Sequence, residues 1–296
     1  MLVGQSPSLL LHRGFPLIQG IHLPHEVDQI QDLEVRDSDV FVVTFPKSGT
    51  IWMQQILLLL QSKGDAELII EKDKVSNGDL VPWIELPGQV QEFITAESPR
   101  FRVSHLPYHL MPAALCREKG KVIYVARNPK DVLVSYYCFH KMAMMLETPA
   151  SFEDFFQKFM KGEVMGGNWF QHIKSWFAHK DDLNMMFLTY EEMLLDLTSS
   201  MKRLADFLGI DLTQDQLQNV VKHSTFNNMK KIPQANYENI PRELLDHHES
   251  SFMRKGTIGD WKNHFTVAQN HQFDEVFERE MKDFPVTFTW DIRDVS

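Results

Sequence analysis

Three unbroken apolar stretches punctuate the chain: Val40-Phe41-Val42-Val43-Thr44-Phe45, Val122-Ile123-Tyr124-Val125-Ala126 and Met185-Met186-Phe187-Leu188-Thr189. A run without polar alternation suits a strand covered on both faces. A helical pattern follows each, over residues 50–60, over 129–140 and from Glu191 onward. Strand–helix alternation of this kind predicts an α/β fold with a central parallel sheet flanked by helices. Phe101-Arg102-Val103-Ser104 predicts a fourth, weaker strand. Met201, Leu204, Ala205 and Leu208, closed by Gly209, and later Phe273, Val276, Phe277 and Met281, mark two amphipathic helices. No internal repeat, low-complexity tract or Pro/Gly/Ser-rich linker divides the chain, so residues 1–296 are expected to form one domain. Residues 227–254, with Pro233, Pro241 and few periodic apolar positions, predict a long ordered loop and a candidate lid over a substrate.

Composition narrows the class. With 43% hydrophobic and 24% charged residues the chain falls among packed globular enzymes. A net charge of −10 argues against nucleic acid or anionic membrane as a partner, since both bind through clustered Lys and Arg. An anionic ligand would therefore need a local basic pocket. The longest uncharged stretch, residues 48–62, is shorter than the roughly 18–20 residues of a membrane span and reads as a buried helix. Ser8-Leu9-Leu10-Leu11 is broken by His12 and Arg13 with no small-residue cleavage site after it, so no signal peptide is expected. Two cysteines, Cys116 and Cys138, are too few for a disulfide framework. Together these features predict a cytoplasmic protein.

Three segments carry candidate chemistry. In Thr44-Phe45-Pro46-Lys47-Ser48-Gly49-Thr50-Ile51-Trp52 a buried strand passes through a glycine loop into a helix. Backbone N–H groups, the helix dipole and the Lys47 charge would converge there on a phosphate. The order is not Walker A, because Lys47 precedes Ser48-Gly49-Thr50 and no glycine lies five residues before Gly49. An ordinary strand–turn–helix connection with an exposed lysine fits the short string too. In Arg127-Asn128-Pro129-Lys130-Asp131, with Ser135 beyond, Arg127 ends a strand, Asn128 is placed as N-cap and Pro129 as first helical residue. Arg127 and Ser135 together suit one phosphate, although a surface arginine and an exposed helical serine would read the same way. Phe252-Met253-Arg254-Lys255-Gly256 adds a third basic cluster. Three clusters fit a ligand with phosphates at two ends.

Phe45-Pro46-Lys47-Ser48-Gly49-Thr50, Arg127-Asn128-Pro129-Lys130-Asp131 with Ser135, and Arg254-Lys255-Gly256 through Asp260-Trp261-Lys262 resemble, in order and spacing, the signature segments of cytosolic sulfotransferases. The resemblance implies a transferase, of the kind met in xenobiotic metabolism, that moves a sulfuryl group from 3′-phosphoadenosine 5′-phosphosulfate (PAPS) to a hydroxyl or amine of a small apolar acceptor. The product would be 3′,5′-ADP. It implies that Lys47, Ser48, Gly49, Thr50, Ile51 and Trp52 hold the 5′-phosphosulfate, and that Arg127, Ser135, Met253, Arg254, Lys255 and Gly256 hold the 3′-phosphate end. Trp52, Tyr190 and Phe226 would enclose the adenine with Ser224 and Thr225 nearby. His105 matches the family's catalytic histidine, and Phe45, Trp83, Phe139 and Tyr237 would wall the acceptor site beside it. The resemblance adds the neighbouring Met142, Met144 and Met145 to that wall, although core packing is the first expectation for them.

The chemistry argued from the residues agrees with those roles. Sulfuryl transfer needs a group to deprotonate the acceptor and positive charge on the departing oxygen. Histidine suits the first task and lysine the second. No metal is required, because Lys47 and the helix N-terminus carry charge enough. Pro107 between His105 and His109 spoils a helical ligand pair, and His247 and His248 read as solvated. Two features depart from the family pattern. Val103 stands where phenol-preferring members carry lysine, which speaks against a simple phenol specialist, and Ser104-His105-Leu106-Pro107 with the closing Phe288-Thr289-Trp290-Asp291-Ile292 resembles the amine- or alcohol-directed branches. His271 replaces the closing glutamate of the family's dimer segment, residues 262–271, which would weaken a homodimer. The rival readings are a Mg-dependent, kinase-like phosphotransferase, which should carry a full Walker A, and a nucleotide-binding protein without catalysis, against which His105 and Lys47 argue.

Overall fold

The computed structural model describes residues 8–69, 76–117 and 119–295. The chain opens with an antiparallel hairpin of β1 (Leu9–His12) and β2 (Phe15–Ile18), turned at Arg13 and Gly14, both at positive φ as a two-residue hairpin loop demands. Its Leu9, Leu10 and Leu11 are exposed, whereas β2 is buried throughout. α1 (Pro24–Ile30), β3 (Val40–Thr44), α2 (Thr50–Gln61), α3 (Gln89–Thr95), β4 (Phe101–Ser104), β5 (Lys121–Ala126) and α4 (Pro129–Met142) follow. Then come α5 (Phe152–Lys161), α6 (Trp169–Phe177), β6 (Met185–Thr189), α7 (Tyr190–Leu195), α8 (Leu197–Leu208) and α9 (Gln214–His223). Two one-turn helices, α10 (Phe226–Met229) and α11 (Pro233–Asn236), precede the long closing helix α12 (Val267–Met281).

The three apolar runs and the weaker 101–104 segment are the four strands of a parallel sheet, in the order β4-β3-β5-β6. Alternate side chains of β3 and β5 leave for opposite faces. Phe41, Val43, Val122 and Tyr124 join a core with α3, α4, α5 and α6, while Val40, Val42, Ile123 and Val125 pack with α2, α8 and α9. Burial on both faces is why these strands carry no polar alternation.

Helix boundaries follow from local chemistry. Asn128 caps α4 by accepting from the N–H groups of Lys130 and Asp131, with Pro129 as first residue. Gly209 ends α8 at φ +74°. Residues 227–254 contain α10, α11 and a series of turns, more local order than the lack of periodicity predicts. His248 is exposed, but His247 is half-buried with Nε2 3.1 Å from the Ile240 carbonyl, so only one of the two is solvated. The methionine cluster divides: Met142 is core, Met144 is 52% exposed, and Met145 lines the central cavity.

Candidate active site

The carboxyl ends of all four parallel strands open on one cavity of about 550 Å³, where open α/β sheets hold their ligands. β3 delivers Lys47, β4 delivers His105, β5 delivers Arg127, and β6 delivers Tyr190; all four line it.

At the end of β3, Lys47 is held at φ +70° and Gly49 at φ +112°. The first is costly for a residue with a side chain, and such strain gathers at functional sites. A Cβ on Gly49 would lie 3.1 Å from the Tyr190 ring, so the glycine lets loop and ring meet. Gly49 has no side chain to cap α2, and N–H groups in the first helical turn have no intrahelical acceptor. The Lys47 ammonium lies 4.1 Å from the Phe139 ring centroid and 4.3 Å from that of Phe252. Burial, reinforced by the Arg127 and Arg254 charges, lowers its pKa to about 7.

Arg127 crosses from β5 to donate to the Lys47 carbonyl at 3.2 Å and to the Thr257 carbonyl at 3.4 Å, its guanidinium 4.2 Å over Tyr190. Its buried Nε has no partner among the described residues. Behind it, Asp131 accepts from the N–H groups of Gly259 and Trp261, at 2.8 and 3.0 Å, and so ties the third basic segment to α4. That segment approaches closely: a Cβ on Gly256, at φ +61°, would fall 2.2 Å from Phe226. Arg254 and Lys255 are both ion-paired to Asp260, whose pKa is held well below the usual range against the upward push of its own burial. Ser135 lines the cavity as well.

His105 is fixed on every side. Its Nδ1 lies 2.8 Å from the Thr44 carbonyl, which can only accept, so Nδ1 carries the proton and Nε2 keeps a free lone pair. Its backbone N–H donates to Glu85 Oε1 at 2.8 Å, and its carbonyl lies 3.1 Å from Nε2 of the buried His172, whose Nδ1 meets the Tyr124 hydroxyl at 2.9 Å. Desolvation lowers the His105 pKa to about 4, the Lys47 charge contributing, and raises that of Glu85 to about 7. Glu85 arrives because residues around Trp83 pair with the edge of β4: Ile84 donates to the Val103 carbonyl at 3.0 Å, and Val103 to that of Pro82 at 2.9 Å.

A sulfotransferase domain model matches residues 37–285. The amine sulfotransferase of Oryctolagus cuniculus is 46% identical over 270 residues, 90% of this chain and 89% of the relative. The chain belongs to the sulfotransferase family. Sulfotransferase 2B1 of Homo sapiens is 42% identical over 95% of this chain and 76% of the relative. Among solved structures, a mouse sulfotransferase complexed with PAP superposes with TM-score 0.77 at 30% identity, covering 94% of this chain and 96% of the other. Retinol dehydratase in a complex with retinol and PAP gives 0.80 at 25% identity, covering 96% and 92%.

Most of the sequence-predicted site residues of this sulfotransferase line this one cavity: Lys47, Gly49, Thr50, Ile51, Trp52, Arg127, Ser135, Tyr190, Phe226, Met253, Arg254, Lys255 and Gly256, together with Trp83, His105, Phe139 and Tyr237. Four others do not reach its wall. Phe45 is 1% exposed and packs on Tyr136, Phe159 and His172, because strand parity turns it onto the buried face shared by Phe41 and Val43. Ser48 is fully buried with no partner for its hydroxyl among the described residues. The Ser224 and Thr225 hydroxyls donate within their own turns, to the carbonyls of Val220 and Lys222; the Ser224 contribution is its carbonyl, which accepts from Trp52 Nε1 at 2.7 Å. Sequence reasoning missed Glu85, His172 and His22. Each is brought in from a distant segment, and no local spacing marked it.

Proposed function

We propose that this sulfotransferase takes PAPS as donor and sulfonates a hydroxyl or amine of a small, largely apolar acceptor. The observation that carries the reading is the pairing, across one cavity, of a histidine whose tautomer leaves Nε2 free with a buried lysine on a phosphate-type loop. The residues fit the donor: the buried Arg127 Nε lacks a protein partner among the described residues, and Gly49 and Gly256 let their loops pack closely on the Tyr190 and Phe226 rings, where a Cβ would crowd them. The donor supplies an activated sulfuryl group on a phosphate leaving oxygen. The N-terminus of α2 and Lys47 would hold that phosphate and meet the charge developing on it. Arg127, Ser135, Arg254 and Lys255 would grip the 3′-phosphate, for which Arg254 and Lys255 must share themselves with Asp260. Trp52, Tyr190 and Phe226 offer aromatic faces to the adenine.

On the acceptor side, Nε2 of His105 would take the proton of the attacking hydroxyl or amine. Thr44 then accepts from the imidazolium at Nδ1, as it already does from the neutral ring. Glu85 and His172 would keep the ring aimed by holding its peptide on both sides. Residues 227–254 would act as the lid, since Tyr237 and Phe252 of that segment line the cavity. An amine acceptor is supported by the name of the relative at 46% identity. A cytoplasmic setting is supported by two unpaired cysteines, and a homodimer through 262–271 by Val267, 89% exposed, with His271 weakening it. Among the described residues no helix is long and apolar enough to cross a membrane.

The test is twofold. 3′,5′-ADP should raise the melting temperature with no metal added, by about 3 kcal/mol of stabilisation at a hundredfold excess over Kd, while ATP with magnesium does little. A PAPS assay across alcohols, sterols, phenols and arylamines should give turnover. A response to ATP with magnesium and none to 3′,5′-ADP would overturn the reading.

A further inference from the structure

Nothing in the motifs involves His22, one of 13 histidines. In the structure it is 5% exposed and lines the same cavity as His105, near Ile18, Ile21 and Met145. It sits one turn beyond β2, whose far side pairs with β1 and whose Ile18 N–H points the other way, onto His22 Nδ1 at 3.1 Å. A backbone N–H can only donate, so Nδ1 must present its lone pair there and the ring proton belongs on Nε2. The Ile18 carbonyl lies farther from Nδ1, at 3.4 Å, and already accepts from the N–H groups of Ile21 and His22, at 3.2 and 3.0 Å, so it makes no competing claim on a proton at Nδ1. Nε2 has no partner among the described residues. Burial lowers the His22 pKa to about 4, so the ring is neutral at pH 7.

The two cavity histidines thus have opposite tautomers. His105 shows a lone pair and His22 shows an N–H, each because of the backbone group its Nδ1 meets. Around them the wall is mostly apolar: Ile21, Phe139 and Met145 offer an acceptor no strong hydrogen bond. In such surroundings one neutral donor discriminates sharply, because leaving it unpaired costs more than pairing it gains.

We propose that His22 is a specificity-determining residue of the acceptor site, donating from Nε2 to an oxygen or uncharged nitrogen of the acceptor, so that the enzyme favours apolar acceptors carrying a hydrogen-bond-accepting group there over their hydrocarbon counterparts. The inference rests on the sulfotransferase reading of the same cavity. A cationic group at that place is disfavoured, since a neutral N–H repels it.

The test uses pairs of sulfonatable alcohols that differ by a single carbonyl or ether oxygen, assayed with the full enzyme and with His22→Phe and His22→Gln. In the unsubstituted enzyme one pair should show a ratio of kcat/KM of about tenfold, the worth of one hydrogen bond of ~1.4 kcal/mol. The ratio should fall to about one in His22→Phe, survive in part in His22→Gln, whose amide still donates, and leave the donor KM unchanged in both. A ratio unaltered in His22→Phe overturns the proposal, as does the absence of any pair that the unsubstituted enzyme distinguishes. Imidazole nitrogen NMR of the unsubstituted protein reads the tautomer without relying on a variant: a proton on Nε2 supports the proposal, and a proton on Nδ1 sinks it. If no acceptor is sulfonated at all, the proposed function fails instead, and the tautomer still decides what His22 presents.

Discussion

The two ends of the cavity are built differently. At the basic end, Lys47, Arg127 and Tyr190 lie at or just beyond strand ends, and Asp131 of α4 ties the Arg254 segment to that frame. At the other end, proposed for the acceptor, the wall comes from a hairpin and the turn after it, from the bridge at Trp83, from the last turn of α4 with Met145 and Leu146 beyond it, and from the turns of 227–254. The first is a set of charges on rigid elements. The second is a set of apolar and aromatic faces on connections, with His105 between them. The second can change without disturbing the sheet, so under the proposed function the acceptor preference would vary over a constant donor site.

This contrast can be broken most severely at the residue that belongs to both ends. His105→Ala should lower kcat by about 10²–10⁴-fold, the usual worth of a positioned base, while 3′,5′-ADP still raises the melting temperature. Retained turnover would remove the histidine from the mechanism. Arg254→Ala should act on one end alone, raising the donor KM by about ten- to a hundredfold, as loss of a charged hydrogen bond does, with the acceptor KM unmoved. An equal rise in both would mean the ends are not separable.

The smallest expected effect is on pH. Lys47, lowered to about 7 in the free enzyme, loses its charge as pH rises through 7, whereas His105, lowered to about 4, stays unprotonated from there upward. The kcat/KM for the donor, which reports the free enzyme, should therefore be flat from about pH 5 to 7 and fall above it, by less than tenfold for the first unit. Because an anionic donor favours the ammonium, its binding at pH 8 should take up protons, seen as a buffer-dependent heat in calorimetry. A profile that rises above pH 7, or binding with proton release, would place the lowered amine elsewhere.

How far the sequence could be read follows the same division. Asn128 as cap, Pro129 as first helical residue, Gly209 as terminator and the strand at 185–189 depend on neighbours within a few residues, and each stands where its pattern puts it. Phe45 was legible in principle, since it shares strand parity with Phe41 and Val43, but the family resemblance placed it in the pocket wall. Glu85 and His172 were not legible. Their partner is the peptide of His105, 20 and 67 positions away, and neither residue stands in a motif.

The sequence by itself determined the parallel sheet, the phosphate-type loop and the family, because these reside in contiguous strand–loop–helix segments whose physics is local. Only the tertiary structure decided which nitrogen of His105 and of His22 bears the proton. That choice is made by one carbonyl and one N–H, from Thr44 and Ile18; the Thr44 carbonyl stands 61 positions from His105, and the fold alone brings both rings to one cavity.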